Sequence, residues 1–275
     1  MIHQQRQYED AYTIDFDHYG IPDRKISDGL RVNSKNILSI GSGAGSDIWY
    51  LVNDNSVIGL DYSFNGLKVG YQHGIGGVVG ELNFTTTFPF KDKSFDIIIC
   101  KDILEHVVQP LEIIQDVHRI LRDDGCVIIS VPNHFYLTQR FRLLLGKGII
   151  WKSIGINHSK NYDSWNYMHI RFFTYNSFKR FIDHAGFKPE KWFWDFGTLA
   201  HYQNPDMWIE PQEIKIKDGR SLSFRGKIGV FIIKPLWKTV NIIFPHVIRN
   251  KIVSFAPGIL CAGFYVRARK QIIAE

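Results

Sequence analysis

Two carboxylates and an imidazole crowd the stretch "CKDILEHVVQP", where Asp102, Glu105 and His106 follow an apolar run. If a strand hands over to a helix here, the i, i+3, i+4 spacing sets all three on one helical face. Such a face suits two kinds of chemistry. An imidazole beside a carboxylate can take the proton of an acceptor hydroxyl, worth roughly 10²–10⁴-fold in rate. The same donors can instead hold a divalent cation, with oxygen ligands favouring Mg²⁺ and imidazoles a transition metal. His169, in "HIRFFTYNSF", is the second candidate for the base. A third reading assigns no chemistry: Glu105 and His106 cap a helix or orient a loop, and His169 anchors the turn before Thr174. The residues themselves leave the three open.

The elements that must carry this group can be read from the apolar pattern. "ILSIGSGAGSD" is an apolar run that breaks into glycines at Gly41, Gly43 and Gly45. "SVIGLD" (56–61) and "SFDIIICKD" (94–102) follow, and "GCVIISVPN" (125–133) ends on a Pro-Asn breaker. Continuous apolar runs of this length belong in a sheet covered on both faces. Between them, "PLEIIQDVHRILRDDG" spaces Leu111, Ile114, Val117, His118 and Leu121 as a helix, with Gly125 as its stop. "TYNSFKRFIDHAGF" repeats the design, with Thr174 as N-cap and Gly186 at the end. Strands alternating with helices predict an α/β, doubly wound, mostly parallel sheet whose ligands bind beyond the carboxyl ends of the strands. Gly41, Asp61 and Asp102 all fall at such ends.

The glycine turn does not match a phosphate cradle. No lysine lies between Ile37 and Leu67, and Ser46 occupies the place of the third glycine of a dinucleotide fingerprint. These facts set aside a P-loop and weaken an NAD-dependent dehydrogenase. Asp61 follows at the tip of the second run, where a carboxylate can accept both hydroxyl hydrogens of a ribose. Glu81 comes after a third β-like run and can accept from an exocyclic amine, while Leu82 beside it suits an adenine face. The pattern describes an adenosine bound without reference to phosphate.

With these residues the chain resembles the class I S-adenosylmethionine-dependent methyltransferases, the small-molecule group that includes ubiquinone-pathway and sugar O-methyltransferases. The resembling stretches are "ILSIGSGAGSD", "VIGLDYS", "FPFKDKSFDIIICKDILEHVVQP", "LEIIQDVHRILRDDGCVIISVPN" and "HIRFFTYNSFKRFIDHAGF", covering roughly residues 35–190. The resemblance implies a Rossmann-like fold with a seven-stranded sheet, and a cofactor-binding set of Gly41, Ser42, Gly43, Gly45, Asp61, Tyr62, Glu81, Leu82 and Asp102. Glu81 stands where Asp is common in the family. His106 and His169 become candidate catalytic residues for methyl transfer, expected at an oxygen of a sugar or lipid-linked small molecule. "DILEH" is also similar to the acid-x-x-Glu-His metal site of ubiquinone-pathway and small-RNA 2′-O-methyltransferases, with Asp102 in place of a Glu. Metal-assisted methylation of RNA is therefore one alternative. A non-catalytic adenosine-binding scaffold at a membrane surface is the other.

Composition sets the outer limits. Among 275 residues, 45% are hydrophobic and 14% aromatic, enough for a full core. The division expected is an N-terminal segment 1–34, a cofactor-binding core 35–196 and a basic segment with closing strand 197–275. Within the core, 134–168 is rich in aromatics and glycine and reads as a lid; Asn133, His134 and Tyr136 form the rim before it. Trp151, Trp165, Tyr167, Trp192 and Trp194 either stack on an acceptor or pack in the core. Cys100, Cys126 and Cys261 have no metal-cage spacing and read as buried reduced thiols of a cytoplasmic protein, and the N-terminus shows no signal peptide. From residue 214 onward there are 12 Lys/Arg against 2 acids, whereas residues 1–213 carry 21 basic and 25 acidic groups. The tail therefore reads as a sheet-completing element or as a peripheral membrane contact through residues 226–256, and nucleic-acid binding is a third use of the same charge that no RNA-binding signature accompanies. No DNA partner is expected.

Overall fold

The structure, a computed structural model, describes residues 30, 32–83, 87–146, 169–194, 221–222, 224–236, 239 and 246–271. Trp151, Trp165, Tyr167 and most of the expected lid lie outside these residues, as does nearly all of the segment 1–34. Seven strands form one sheet in the order β3-β2-β1-β4-β5-β7-β6. They are β1 (Asn36–Ile40), β2 (Ser56–Asp61), β3 (Gly76–Val79), β4 (Phe95–Lys101), β5 (Leu121–Pro132), β6 (Phe187–Trp192) and β7 (Gly263–Lys270). β7 runs antiparallel to both its neighbours, and the pairings β3-β2, β2-β1, β1-β4 and β4-β5 are parallel. This is the expected doubly wound, Rossmann-like architecture. Its strand order reverses between β1 and β4, the place where such sheets open a crevice at their carboxyl ends.

The central strands are covered on both faces, which is why they read as unbroken apolar runs. Ile37, Leu38, Ile98, Ile99 and Ile129 are fully buried. One layer beyond the sheet comes from α2 (Pro110–Ile120), which buries Ile113, Ile114, Val117 and Ile120, and from α4 (Tyr175–His184), which buries Phe178 and Ile182. On the other face Ile37, Ile97, Ile99 and Ile128 pack with Leu30, Ile48 and Leu51. The N-terminal signal of α4 is a full capping box. Thr174 Oγ1 accepts from Ser177 N at 3.1 Å, and Ser177 Oγ accepts from Thr174 N at 2.9 Å. Thr174→Ala is expected to lower the unfolding free energy by about 1 kcal/mol, seen as a shifted urea midpoint with an unchanged slope.

One expectation needs correction. Gly125 does not stop α2. The helix ends at Ile120, and Leu121 already pairs with Phe95 as the first residue of β5. The ladder then skips to Ile97 opposite Cys126, so the residues between bulge outward. A Cβ at Gly125 would lie 2.8 Å from Asp96 O, so glycine is needed there for close backbone approach and not for a helix stop. β6, "FKPEKW", is a strand on which the sequence pattern raises no expectation. It is an edge strand with Pro189 beside a register shift, the kind of place where a strand tolerates proline.

The three cysteines are free and buried, as expected, and burial pushes the Cys100 thiol up to about 12. Part of the tail's positive charge is absorbed by the sheet. Arg267 and Arg269 of β7 reach Glu190 at 2.9 and 3.3 Å, and Lys270 reaches Asp123 at 3.3 Å. Trp192 and Trp194 stack on each other (5.4 Å, 5° between planes) and pack against the core beside Tyr175.

Candidate active site

The glycine turn leaves β1 with Gly41, Gly43 and Gly45 at φ of +67°, +51° and +71°. A Cβ at Gly41 would come within 2.5 Å of Ile103 Cδ1, so that position combines a left-handed backbone with no room. The turn is tied to the tip of β2 through Asp61. Its Oδ2 accepts from Gly43 N at 2.7 Å and its Oδ1 from Ser63 N at 2.8 Å, and the residue is 6% exposed. Ser63 in turn caps α1 (Phe64–Gln72), accepting from Gly66 N at 3.0 Å. Ser42 and Tyr62 adjoin the two members of this contact in the chain. Lys101 at the end of β4 bonds Asp47 at 3.0 Å, closing the turn from the other side.

Beyond β3, Glu81 Oε1 accepts from Asn83 N at 3.1 Å, and Asn83 Oδ1 accepts from Val108 N at 2.9 Å. The Glu81–Leu82 loop is thereby joined to the turn that carries Glu105. Leu82 packs at the margin of the core.

Asp102, Glu105 and His106 do not share a helical face. Asp102 has a φ of +49°, which turns the chain out of β4 into a short turn closed by His106 N donating to Ile103 O at 3.0 Å. Asp102 faces β5 instead: its Oδ1 accepts from Ser130 Oγ at 2.9 Å, and Tyr265 OH lies 3.5 Å from its Oδ2. Among the described residues, the donors close enough to share a cation are Glu105, His106 and His169, within 4.8 Å of one another. Asp102 falls outside that set.

His169 reaches the turn through its neighbours' backbone. The carbonyl of Glu105 accepts from Ile170 N at 2.8 Å and from Arg171 N at 3.1 Å. Glu105 is 1% exposed; its Oε1 lies 3.8 Å from His106 Nε2 and 4.0 Å from His169 Nε2, while its Oε2 has no hydrogen-bond partner among the described residues. Sequence spacing did not bring His134 into this group, although it placed the residue at the rim. His134 Nε2 lies 2.8 Å from His169 Nδ1, and its own Nδ1 is buried without a partner among the described residues. The rings of His106 and His134 both stand edge-on to that of His169, at 4.6 and 5.0 Å. The available hint was position alone, directly after the Pro132-Asn133 break.

Burial governs the electrostatics. It lowers His169 to about 3 and His134 to about 4, assisted by His106, so both imidazoles are neutral near pH 7. Burial also pushes Glu105 well above the usual carboxylate range, and the charge of Asp102 adds to the effect. The site thus combines neutral imidazoles with a carboxyl group reluctant to ionise unless a positive charge comes near.

Residues 21–191 match a family model described as a methyltransferase domain. The chain is 28% identical over 108 residues to a ubiquinone biosynthesis O-methyltransferase of Haemophilus ducreyi, covering 36% of this chain and 46% of that protein. It is 29% identical over 99 residues to a phosphoethanolamine N-methyltransferase of Triticum aestivum, covering 34% and 20% respectively. These matches therefore span less than half the length of either curated relative. Among solved structures, phosphoethanolamine N-methyltransferase 2 of Haemonchus contortus, in complex with S-adenosylhomocysteine, aligns with a TM-score of 0.53 over 90% of this chain and 53% of that one. At 15% identity that likeness is one of fold.

Proposed function

The chain belongs to the methyltransferase-domain family, and from that premise we propose that it transfers the methyl group of S-adenosylmethionine to an oxygen of a small-molecule acceptor, a sugar or a lipid-linked compound. The observation that carries this reading is the pairing of two features at one end of the sheet. One is a glycine turn latched to a buried carboxylate, and the other is a carboxyl–imidazole cluster at the next strand tip. The residues present fit the cofactor: Asp61 is a buried carboxylate held at the tip of β2 by the N–H groups of Gly43 and Ser63, beside the glycine turn where a ribose diol would lie, and a sulfonium needs no phosphate cradle. When bound, S-adenosylmethionine supplies an electrophilic methyl group. Gly41, Ser42, Gly43 and Gly45 are assigned to its methionine and ribose portion, Asp61 to the diol, Glu81 and Leu82 to the adenine, with Tyr62 and Asp102 flanking.

The chain's own task is to orient the acceptor, exclude water and take a proton. Orientation in a closed site can supply about 7–11 kcal/mol of a barrier. His106 or His169 accepts the acceptor's hydroxyl proton, and Glu105, buried beside both, stabilises the resulting imidazolium. A second reading is favoured by the Oε2 of Glu105, unpartnered among the described residues, and by the neutral state of His169. Glu105, His106 and His169 would hold a divalent cation, which when bound would acidify the acceptor hydroxyl. His134 would then orient His169 as an outer partner.

Incubation with methyl-tritiated cofactor and fractionated extracts tests the proposal, with and without chelator. Label is expected in a small-molecule fraction, matched by S-adenosylhomocysteine. Label in RNA, lost with chelator, would favour the metal-assisted RNA reaction. Cofactor binding with no turnover on any acceptor would favour the scaffold.

A further inference from the structure

Two helical parts of the chain leave the sheet at the end where the site lies. α3 (Leu137–Leu144) follows the carboxyl end of β5, and, after the short α5 (Phe224–Ile228), α6 (His246–Phe255) with α7 (Pro257–Leu260) leads into β7. Because β7 is antiparallel, its first residue lies opposite the last of β5, Gly263 against Pro132. Asn133 joins the two parts, its Nδ2 donating to the carbonyls of Gly258 at 3.1 Å and Cys261 at 2.7 Å.

Both parts turn apolar side chains outward at helical spacing. On α6, Ile248, Ile252 and Phe255 are 45%, 52% and 92% exposed, while Val253 faces the core at 5%. At α3, Phe141, Leu144 and Leu145 are 57%, 81% and 71% exposed. One exposed leucine means nothing, but each of these i, i+3, i+4 groupings is a stripe of large apolar side chains on the surface of its own element. The stretches of sequence that carry them hold bases and no acid. Residues 221–262 contain six Lys/Arg and no acid, and residues 134–162 contain five and no acid. Among the described residues, no helix is long and apolar enough to cross a membrane.

We propose that α3 and the α6–α7 segment form a docking face for an anionic lipid surface, and that the acceptor is an amphipathic molecule drawn from it. Large apolar side chains flanked by bases of one sign are what an interfacial element needs. A second copy of this chain is a poorer occupant, because its equally basic stretches would repel. Docked this way, the strand tips lie beside the lipid headgroups, where a hydroxyl-bearing head reaches the site while its apolar part stays in the bilayer. The acceptor assignment rests on the methyltransferase reading; the docking face does not.

Co-sedimentation with phosphatidylcholine vesicles, with and without phosphatidylglycerol, tests the face on the full chain. Binding is expected only with the anionic lipid and is expected to fall in high salt. The surface variant Ile252→Ser/Phe255→Ser is expected to weaken binding at least tenfold, and Leu144→Ser/Leu145→Ser similarly. Lys251→Glu should weaken it by about fivefold or more. Each variant should keep cofactor affinity by calorimetry. Absence of vesicle binding, wild-type binding by all three variants, or a solution dimer that Phe255→Ser dissociates would overturn the docking face. Vesicle binding by a protein that does not bind the cofactor would instead sink the methyltransferase reading and leave the face standing.

Discussion

Asp61→Ala is expected to weaken S-adenosylmethionine binding at least tenfold by calorimetry. The carboxylate would meet the ribose diol through charge-assisted bonds, about 1.5–3 kcal/mol each when one partner is charged. The same oxygens accept from Gly43 N and Ser63 N, so alanine also strands two buried donors, at about 1–3 kcal/mol apiece. A loss of affinity could then reflect a collapsed turn. The separating experiment uses the ligand as the second mutation. Wild-type protein should bind S-adenosylhomocysteine at least tenfold more tightly than its 2′-deoxy analogue, and Asp61→Asn should bind the two within about twofold. Equal discrimination by wild type and variant would remove Asp61 from the ribose and leave it a purely structural latch.

What could be read in advance follows from where the information sits. β1, β2, β4 and β5 lie inside the sheet, so burial on both faces writes them as apolar runs. β6 sits at an edge with mostly exposed or half-buried side chains and a proline, and no such run marks it. The end of α2 was misplaced because Leu121 keeps helical spacing with Val117 although it is buried as a strand residue. Periodicity counts the burial of a side chain without knowing what backbone delivers it. The same limit produced the error at Asp102. The i, i+3, i+4 spacing assumed a helix, and a positive φ at Asp102 turned that side chain toward Ser130. The cluster that replaced it draws on His134 and His169, 35 positions apart, and no local pattern pairs residues at that distance.

The cluster yields the other large effect. His169→Ala is expected to lower turnover roughly 10²–10⁴-fold while cofactor affinity stays within about twofold, because His169 sits beyond the glycine turn and the latch. Glu105→Gln keeps the size of the side chain but cannot neutralise an imidazolium or a cation, and should lower kcat to a similar degree. Each residue acts through the other, so the double variant should be little worse than either single one; additive losses would deny that they work as a unit. His134 meets His169 at Nδ1, the nitrogen turned away from Glu105, and otherwise stands edge-on to Phe172. His134→Asn should therefore lower kcat by about 10–100-fold, as outer partners do, and leave KM unchanged. A fall in stability with kcat intact would make its role structural. Chelation distinguishes the two proton routes: wild-type turnover that survives it assigns the proton to the imidazoles, whereas turnover lost on chelation and restored by one divalent ion assigns the acidified hydroxyl to a bound cation. Wild-type rates in both His169→Ala and Glu105→Gln would remove the cluster from the chemistry altogether.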